Sequence, residues 1–444
     1  MSATQTVKKN YALPIAMMYL LFFMIAFVTN LCNPMAVIVK NQFEVSNAMA
    51  QLGNAANFIA YAVMGIPAGI LLKRIGYKKT AMTAIAVGFL GVFLQYVSGW
   101  NAVQSYGVYL SGAFIAGFCM CMLNTVVNPM LNTLGGGGKR GNQLIQFGGV
   151  GNSLAATFVT IFVGALVGDA SKAQISDATP ALFIALGIFL LVFIVLAFVK
   201  IPEPELEKAS EAAEKPAAPV DGGKRYSAFS FRHFNLGIIA IFLYMGVEVG
   251  IPTYVLQYLS TATDAATPGF GMDSGVAASI AGVFWLMMLV GRLCGGLLGG
   301  RFSSRAQILF VSSVCIVFIL LGMLLPVSST VRFFGFEGST GHFVSADIPV
   351  GMVLLVLCGL CTSVCWGGIF NMAVEGLGRY TSVASGMFMT MVCGGGILIP
   401  LQGAVADATG SFLVSFAVPL VCAAYILFYA LIGYKNVNTD IVTD

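Results

Sequence analysis

Residues 179–200, TPALFIALGIFLLVFIVLAFVK, run directly into residues 201–225, IPEPELEKASEAAEKPAAPVDGGKR. The first stretch holds no charge before Lys200, and it matches the roughly 20 apolar residues that carry a helix across a bilayer core. The second packs Glu203, Glu205, Glu207, Lys208, Glu211, Glu214, Lys215, Asp221 and Lys224 among Ala and Pro, with Arg225 closing it. That is the composition of a solvated tether, flexible or partly helical. The chain therefore changes solvent near residue 200, from lipid to water.

Composition extends this reading to the whole chain. Of 444 residues, 58% are hydrophobic and only 9% are Asp, Glu, Lys or Arg. Soluble domains carry about 25% charged residues, so no water-facing surface can be built from this chain. Disorder, a disulfide scaffold and a nucleic-acid binder with a basic face are excluded on the same arithmetic. The ten cysteines, Cys32, Cys119, Cys121, Cys294 and Cys393 among them, lie in apolar runs and read as small packing residues. With His233 and His342 the only histidines, neither a metal site nor a hydrolytic nucleophile–His–acid set can be assembled, and no cofactor or enzyme activity is expected.

Scanning with the same ruler predicts spans near 13–39, 50–72, 80–98, 103–131, 142–168 and 179–200. After the tether come 235–260, 275–300, 306–326, 348–372, 382–406 and 411–434. The first span is too long for a cleaved signal peptide and lacks a small-residue cleavage site. The prediction is an all-α membrane protein: a six-helix half over 1–200, a cytoplasmic linker over 201–232 and a second six-helix half over 233–444. If the N-terminus is cytoplasmic, the inner segments hold eighteen Lys and Arg; the outer ones hold only Lys40, Lys172 and Arg332. That bias places both termini in the cytoplasm. Arg292 alone falls within a span.

The halves are weakly self-similar. GILLKRIGYKK after span 2 aligns with GLLGGRFSSR after span 8, setting Arg74 over Arg301. Asn128, Asn132 and Leu134-Gly135 at the end of span 4 match Asn371, Glu375 and Leu377-Gly378 at the end of span 10. Asn30 precedes Pro34 as Glu248 precedes Pro252, each by four residues. Parallel six-helix halves define the major facilitator architecture, in which substrate binds near the midplane between them.

Polar groups inside spans are costly unless they face a partner or a cavity. No Asp or Glu occurs between Glu44 and Asp169; the first half offers Asn30, Asn33, Gln51, Asn54, Asn57, Asn124, Asn128, Gln146 and Asn152 instead. Amides supply donors and acceptors together, which suits a neutral polyhydroxyl ligand, although such groups also serve as helix–helix glue. Asn33, beside Pro34, and Asn124 and Asn128, one turn apart, favour a pathway role. Glu248 is the one carboxylate near the middle of a span, a candidate proton carrier or one partner of an ion pair with Arg292. Trp366 is placed to stack on a sugar's apolar face or to pack. The run Gly135-Gly136-Gly137-Gly138-Lys139-Arg140 lacks the spacing of a phosphate loop and reads as a flexible cytoplasmic turn; Gly394-Gly395-Gly396 reads as a site of close helix contact and bending.

These motifs resemble the fucose:proton symporter (sugar permease) family of the major facilitator superfamily over essentially the whole chain. The resemblance rests on FFMIAFVTNLCNP, GIPAGILLKRIGYK, MLNTVVNP, GVEVGIPTY, GRLCGGLL and the stretches CWGGIFNMAVEGLGRYT and GGGILIPLQGAVAD. It implies import of a monosaccharide, a hexose, deoxyhexose or N-acetylhexosamine, through the cytoplasmic membrane, usually driven by protons. The family's L-fucose pattern has Asp where this chain has Asn33 and Glu where it has Asn124, and its following Asn maps onto Asn152. Both proton-handling acids are thus amides here. Lys73 also stands where the wider superfamily places Asp, so any charge latch built from Lys73, Arg74 and Arg301 must differ.

The expected function is alternating-access sugar transport by a single chain. Asn33, Asn124, Asn128, Gln146, Asn152 and Asn371 would bind hydroxyls, Trp366 would stack, and Glu248 would couple protons. A sodium-coupled or uncoupled permease, a sugar-acid carrier and a non-transporting sensor remain open alternatives at this level.

Overall fold

The computed structural model describes residues 11–45, 49, 52–167, 174–203, 226–272, 274–337, 342–438, 440 and 441. Side chains are described for these except at 30, 32–34, 36, 37, 40, 41, 156–167, 274, 275, 278 and 343. The expectations for the side chains of Asn30 and Asn33, for Gln51 and for linker residues 204–225 therefore lie outside the described residues.

The first half comprises α1 (Ala12–Phe43), α2 (Leu52–Val97), α3 (Tyr106–Leu134), α4 (Gly138–Val167) and α5 (Thr179–Phe198). In lipid every backbone N–H and C=O must be paired internally, which is why the apolar runs fold as helices. At 46 residues, α2 is about 69 Å long, twice what a bilayer core takes. It holds the second and third spans, hinged at Gly76, whose φ of 81° and ψ of 179° only glycine adopts without strain. Three successive positive-φ glycines, Gly136, Gly137 and Gly138, turn α3 into α4. The Gly-rich run thus forms a turn between two helices, as the sequence predicts.

The second half comprises α6 (Arg232–Ser260), α7 (Ser274–Gly299), α8 (Ser304–Leu324), β1 (Thr330–Glu337), β2 (His342–Pro349), α9 (Val350–Thr362), α10 (Cys365–Val374), α11 (Thr381–Thr390), α12 (Gly394–Thr409), α13 (Phe412–Ser415) and α14 (Ala417–Phe428). Spans ten and eleven are thus each built from two consecutive helices, α9–α10 and α11–α12, with a break inside.

Among the described residues ten helical stretches are long and apolar enough to cross a membrane. Adding the second span within α2, and α4 with its polar first turns (Asn142, Gln143, Gln146, Asn152), gives the twelve expected, six in each half. Large apolar side chains such as Leu191 and Phe198 stand exposed on the outer surface, as a lipid-facing wall requires.

The antiparallel hairpin β1–β2, paired from Thr330 with Pro349 to Glu337 with His342, is an addition to the all-α expectation. It forms where the chain between spans nine and ten alternates apolar residues (Val331, Phe333; Val344, Ala346, Ile348), a period-two pattern that pairs strands. Gly335 lets β1 lie close against Val276 of α7.

Two helix pairs make most of the seam between the halves among the described residues. α2 packs on α11, and α4 packs on α7. At the first crossing Gly65 and Gly386 meet backbone to backbone, too close for any side chain, and Gly69 packs against the Ser382 carbonyl.

Candidate functional site

A cavity of about 830 Å³ lies between the halves. Its first-half wall comes from α1 (Phe22, Thr29), α2 (Asn54, Asn57, Phe58, Tyr61), α3 (Asn124) and α4 (Gln146, Gly149, Asn152, Ser153). The second half adds Glu248, Thr253 and Gln257 of α6, Trp285 and Arg292 of α7, and Ser363 and Trp366 at the break in span ten. The cavity reaches Asn54, two residues from the start of α2, and Gln257, three from the end of α6. It therefore extends toward the face of the bundle opposite the start of α1.

On the other face, where the described ends of the chain lie, the halves are joined by hydrogen bonds. Gln146 Nε2 donates to the Val364 carbonyl at 3.0 Å, and Ser385 Oγ to the Thr125 carbonyl at 3.3 Å. Lys139 Nζ donates to the Arg301 carbonyl at 3.1 Å. At the cavity floor Trp366 Nε1 donates to Asn128 Oδ1 at 3.2 Å. One end of the pathway is closed and the other holds the cavity, which is the geometry of one state of an alternating-access device.

The amides form a relay along α3. Asn128 Nδ2 donates to the Asn124 carbonyl at 2.8 Å, and Asn124 Nδ2 donates to Tyr61 Oη at 2.8 Å. Asn152 Nδ2 lies 3.5 Å from the Phe22 carbonyl. Trp366 sits with its ring among Tyr244 and Phe388, at centroid distances of 6.3 and 6.1 Å. One ion pair crosses the second-half wall, Arg292 Nη2 to Glu248 Oε1 at 3.5 Å.

Across the cavity from Glu248 and Trp366, the structure thus gathers Asn124, Gln146 and Asn152 on one wall. Asn128 is fully buried behind that wall, its amide occupied by Trp366 and Asn124. Asn371 is placed elsewhere: one turn beyond Gly367 toward the closed face, it is 5% exposed and donates to Ser304 Oγ of α8 at 2.9 Å, a contact within the second half. Its side chain thus joins helices of the second half, apart from the residues that line the cavity. The side chain of Asn33 is not described.

Lys73 and Arg74 are exposed at the closed face, and Arg301 contributes its carbonyl rather than its guanidinium. Beside Gly76, the carboxylate of Glu203 accepts from the Tyr77 and Lys78 backbone amides at 2.6 and 2.8 Å. It takes the place of a cap at a restarted helix N-terminus, where a negative charge is favoured.

Sequence reasoning passed over Tyr61, Ser153, Gln257 and Trp285, all on the cavity wall. The signal was available in helical spacing. Asn54, Asn57 and Tyr61 share a face of α2, and Trp285 stands two turns from Arg292 on α7.

The fold and this interfacial cavity define a multi-pass membrane transporter of two six-helix halves. Residues 18–400 match the Major Facilitator Superfamily, to which the chain belongs. It is 30% identical over 434 residues to a protein named glucose/galactose transporter from Brucella abortus biovar 1 (strain 9-941), covering 97% of this chain and 96% of the relative. It is 26% identical to the L-fucose-proton symporter of Escherichia coli (strain K12), covering 95% and 93%. The crystal structure of the superfamily transporter FucP in its outward conformation has the same fold, with a TM-score of 0.76 at 23% identity, over 95% of this chain and 98% of that one.

Proposed function

We propose that this chain imports a neutral monosaccharide by alternating access, coupled to protons. The observation that carries the reading is the amide-rich cavity at the seam, closed on one face and containing, among the described residues, one internally neutralised ion pair. Its volume falls within the roughly 300–1,000 Å³ of small-ligand sites. Amides match a ligand whose hydroxyls both donate and accept, and the absence of an unpaired charge among the described wall residues disfavours an ionic cargo. Relatives that cover nearly the full chain carry the names glucose/galactose transporter and L-fucose-proton symporter, which supports the same class.

In this reading Asn33, Asn124, Gln146 and Asn152 bind hydroxyls, Trp366 stacks on the sugar with Asn128 holding its indole, and Glu248 is the coupling acid. The halves run over 1–200 and 233–444, joined by a tether over 201–232. The Lys and Arg bias places both termini in the cytoplasm, so the closed face is cytoplasmic and the cavity faces outward across the inner membrane. The protein acts as a monomer, since each chain encloses its own pathway.

Uptake of labelled glucose, galactose and fucose into proteoliposomes under an imposed inward proton gradient tests the reading. Saturable accumulation is expected; no uptake of any of them above protein-free vesicles overturns it.

A further inference from the structure

Arg292 serves three partners at once. While Nη2 faces Glu248 Oε1 at 3.5 Å, Nη1 donates to the Gly149 carbonyl at 3.1 Å and to Ser153 Oγ at 2.7 Å. Glu248 and Arg292 belong to α6 and α7 of the second half, Gly149 and Ser153 to α4 of the first. One guanidinium therefore ties the cavity's carboxylate to the opposite half. The seat on α4 is shaped for it, because a Cβ at Gly149 would stand 3.1 Å from Arg292 Cδ and 3.3 Å from Nε. Glu248 and Arg292 are each 12% exposed, so the pair meets the cavity yet lies mostly out of water.

We propose that Arg292 is the positioning residue that passes the charge state of Glu248 to the seam between the halves. This rests on the sugar:proton symport reading above and supplies the coupling route that Asn33 and Asn124, as amides, cannot. With Glu248 ionised, the pair fixes the guanidinium where Nη1 reaches α4 and holds α7 against it. When Glu248 accepts a proton from the cavity, an O–H bond forms and the carboxylate charge disappears. Arg292 keeps its own proton throughout. Arg292 is left with only the neutral Gly149 carbonyl and Ser153 hydroxyl, without the carboxylate that fixed the orientation of its fork. The tie between α4 and α7 loosens, the closed face opens, and the proton leaves Glu248 on that side with the sugar. The other titratable groups facing Glu248 are Tyr244, one turn earlier on α6, and Cys365 on α10. Neither ordinarily carries charge near neutral pH, so the balance is set by Glu248 and Arg292 alone. Arginine is required because its planar fork serves a carboxylate and a second pair of acceptors together, which a lysine point charge does not.

The test uses the full chain in proteoliposomes with labelled galactose and two readouts: counterflow, which needs no gradient, and accumulation driven by a pH gradient. Arg292→Lys and Glu248→Gln are each expected to lower the ratio of accumulation to counterflow at least tenfold. They are also expected to abolish the sugar-induced alkalinisation recorded by an external pH electrode. The double variant should lower the ratio no further than either single one, because both act through one tie. Ser153→Ala, which removes one anchor with little change in volume, is expected to lower the ratio at least threefold and keeps the test open if Arg292→Lys does not fold. Counterflow with a wild-type ratio in these variants overturns the proposal alone. No counterflow in the wild type overturns the transport reading and the proposal with it.

Discussion

The indole Nε1 of Trp366 donates a hydrogen bond to Oδ1 of Asn128 at 3.2 Å, linking α10 of the second half to α3 of the first at the floor of the cavity. The bond joins the two halves, so in alternating access it is expected to break as the closed face opens and to count in the energy difference between states. Trp366→Phe keeps a ring for packing and leaves the buried Asn128 oxygen without its donor, at a cost of about 1–3 kcal/mol. That is roughly 5- to 150-fold in the ratio of closed to open. Position 143, packed against Gly299 at the closed face, reports the shift. A cysteine introduced there is expected to react faster with a thiol reagent in the Trp366→Phe background than without it.

Asn124 donates to Tyr61 Oη at 2.8 Å and to the Met120 carbonyl at 3.1 Å. Asn124→Asp preserves shape and replaces the donor with a group that can only accept while ionised. The carboxylate then faces the Met120 carbonyl without a proton between them. Sugar affinity is expected to drop at least tenfold at neutral pH and to recover on acidification, as protonation restores a donor. Binding measured by sugar-induced thermal stabilisation across pH reads this directly. The wild-type residue, being an amide, gives no such recovery at this position.

Much of this architecture is legible in the sequence because lipid imposes simple rules. Span length, the tether at 201–225 and the charge asymmetry each follow from solvent chemistry, and the amides of Asn124, Gln146 and Asn152 betray the cavity because polar groups in lipid need a reason. The hinge at Gly76 and the pairing of α2 with α11 depend on backbone approach, which residue identity alone does not encode. The same holds for Asn371. It matches Asn128 in the internal repeat, yet one amide takes the indole of Trp366 and the other the hydroxyl of Ser304, because what lies across from each differs. Glu203 was read as one charge of a solvated run; only the fold brings it to the start of a helix 126 residues away.

That carboxylate accepts from the amides of Tyr77 and Lys78, while Lys78 Nζ donates to the carbonyls of Ala197 and Val199 at 2.7 and 2.8 Å. The four bonds tie the restart of α2 to the end of α5 at the closed face. Glu203→Ala removes two acceptors from an N-terminus that favours negative charge, worth about 0.3–1 kcal/mol at a partly exposed site. A small fall in thermal stability is expected, and Glu203→Gln, which keeps an acceptor without the charge, should recover part of it. A variant as stable as the wild type would show that water replaces the carboxylate fully.

Asn142 of α4 is fully buried, and among the described residues neither its Nδ2 nor its Oδ1 has a hydrogen-bond partner. It lies at the seam, with its Oδ1 3.4 Å from where a Cβ on Gly367 would stand. A buried amide left unpaired costs about 1–3 kcal/mol, and that cost is charged to the closed state alone if opening the face returns the amide to water. The residue thus weakens its own gate. Asn142→Leu, of similar size and without polar atoms, relieves the cost where the seam is shut and gains nothing where it is open. The expected outcome is a higher thermal midpoint together with slower galactose counterflow, since each turnover must break a tighter seal. A midpoint that rises without slower counterflow would place Asn142 in the static packing of α4, away from the motion.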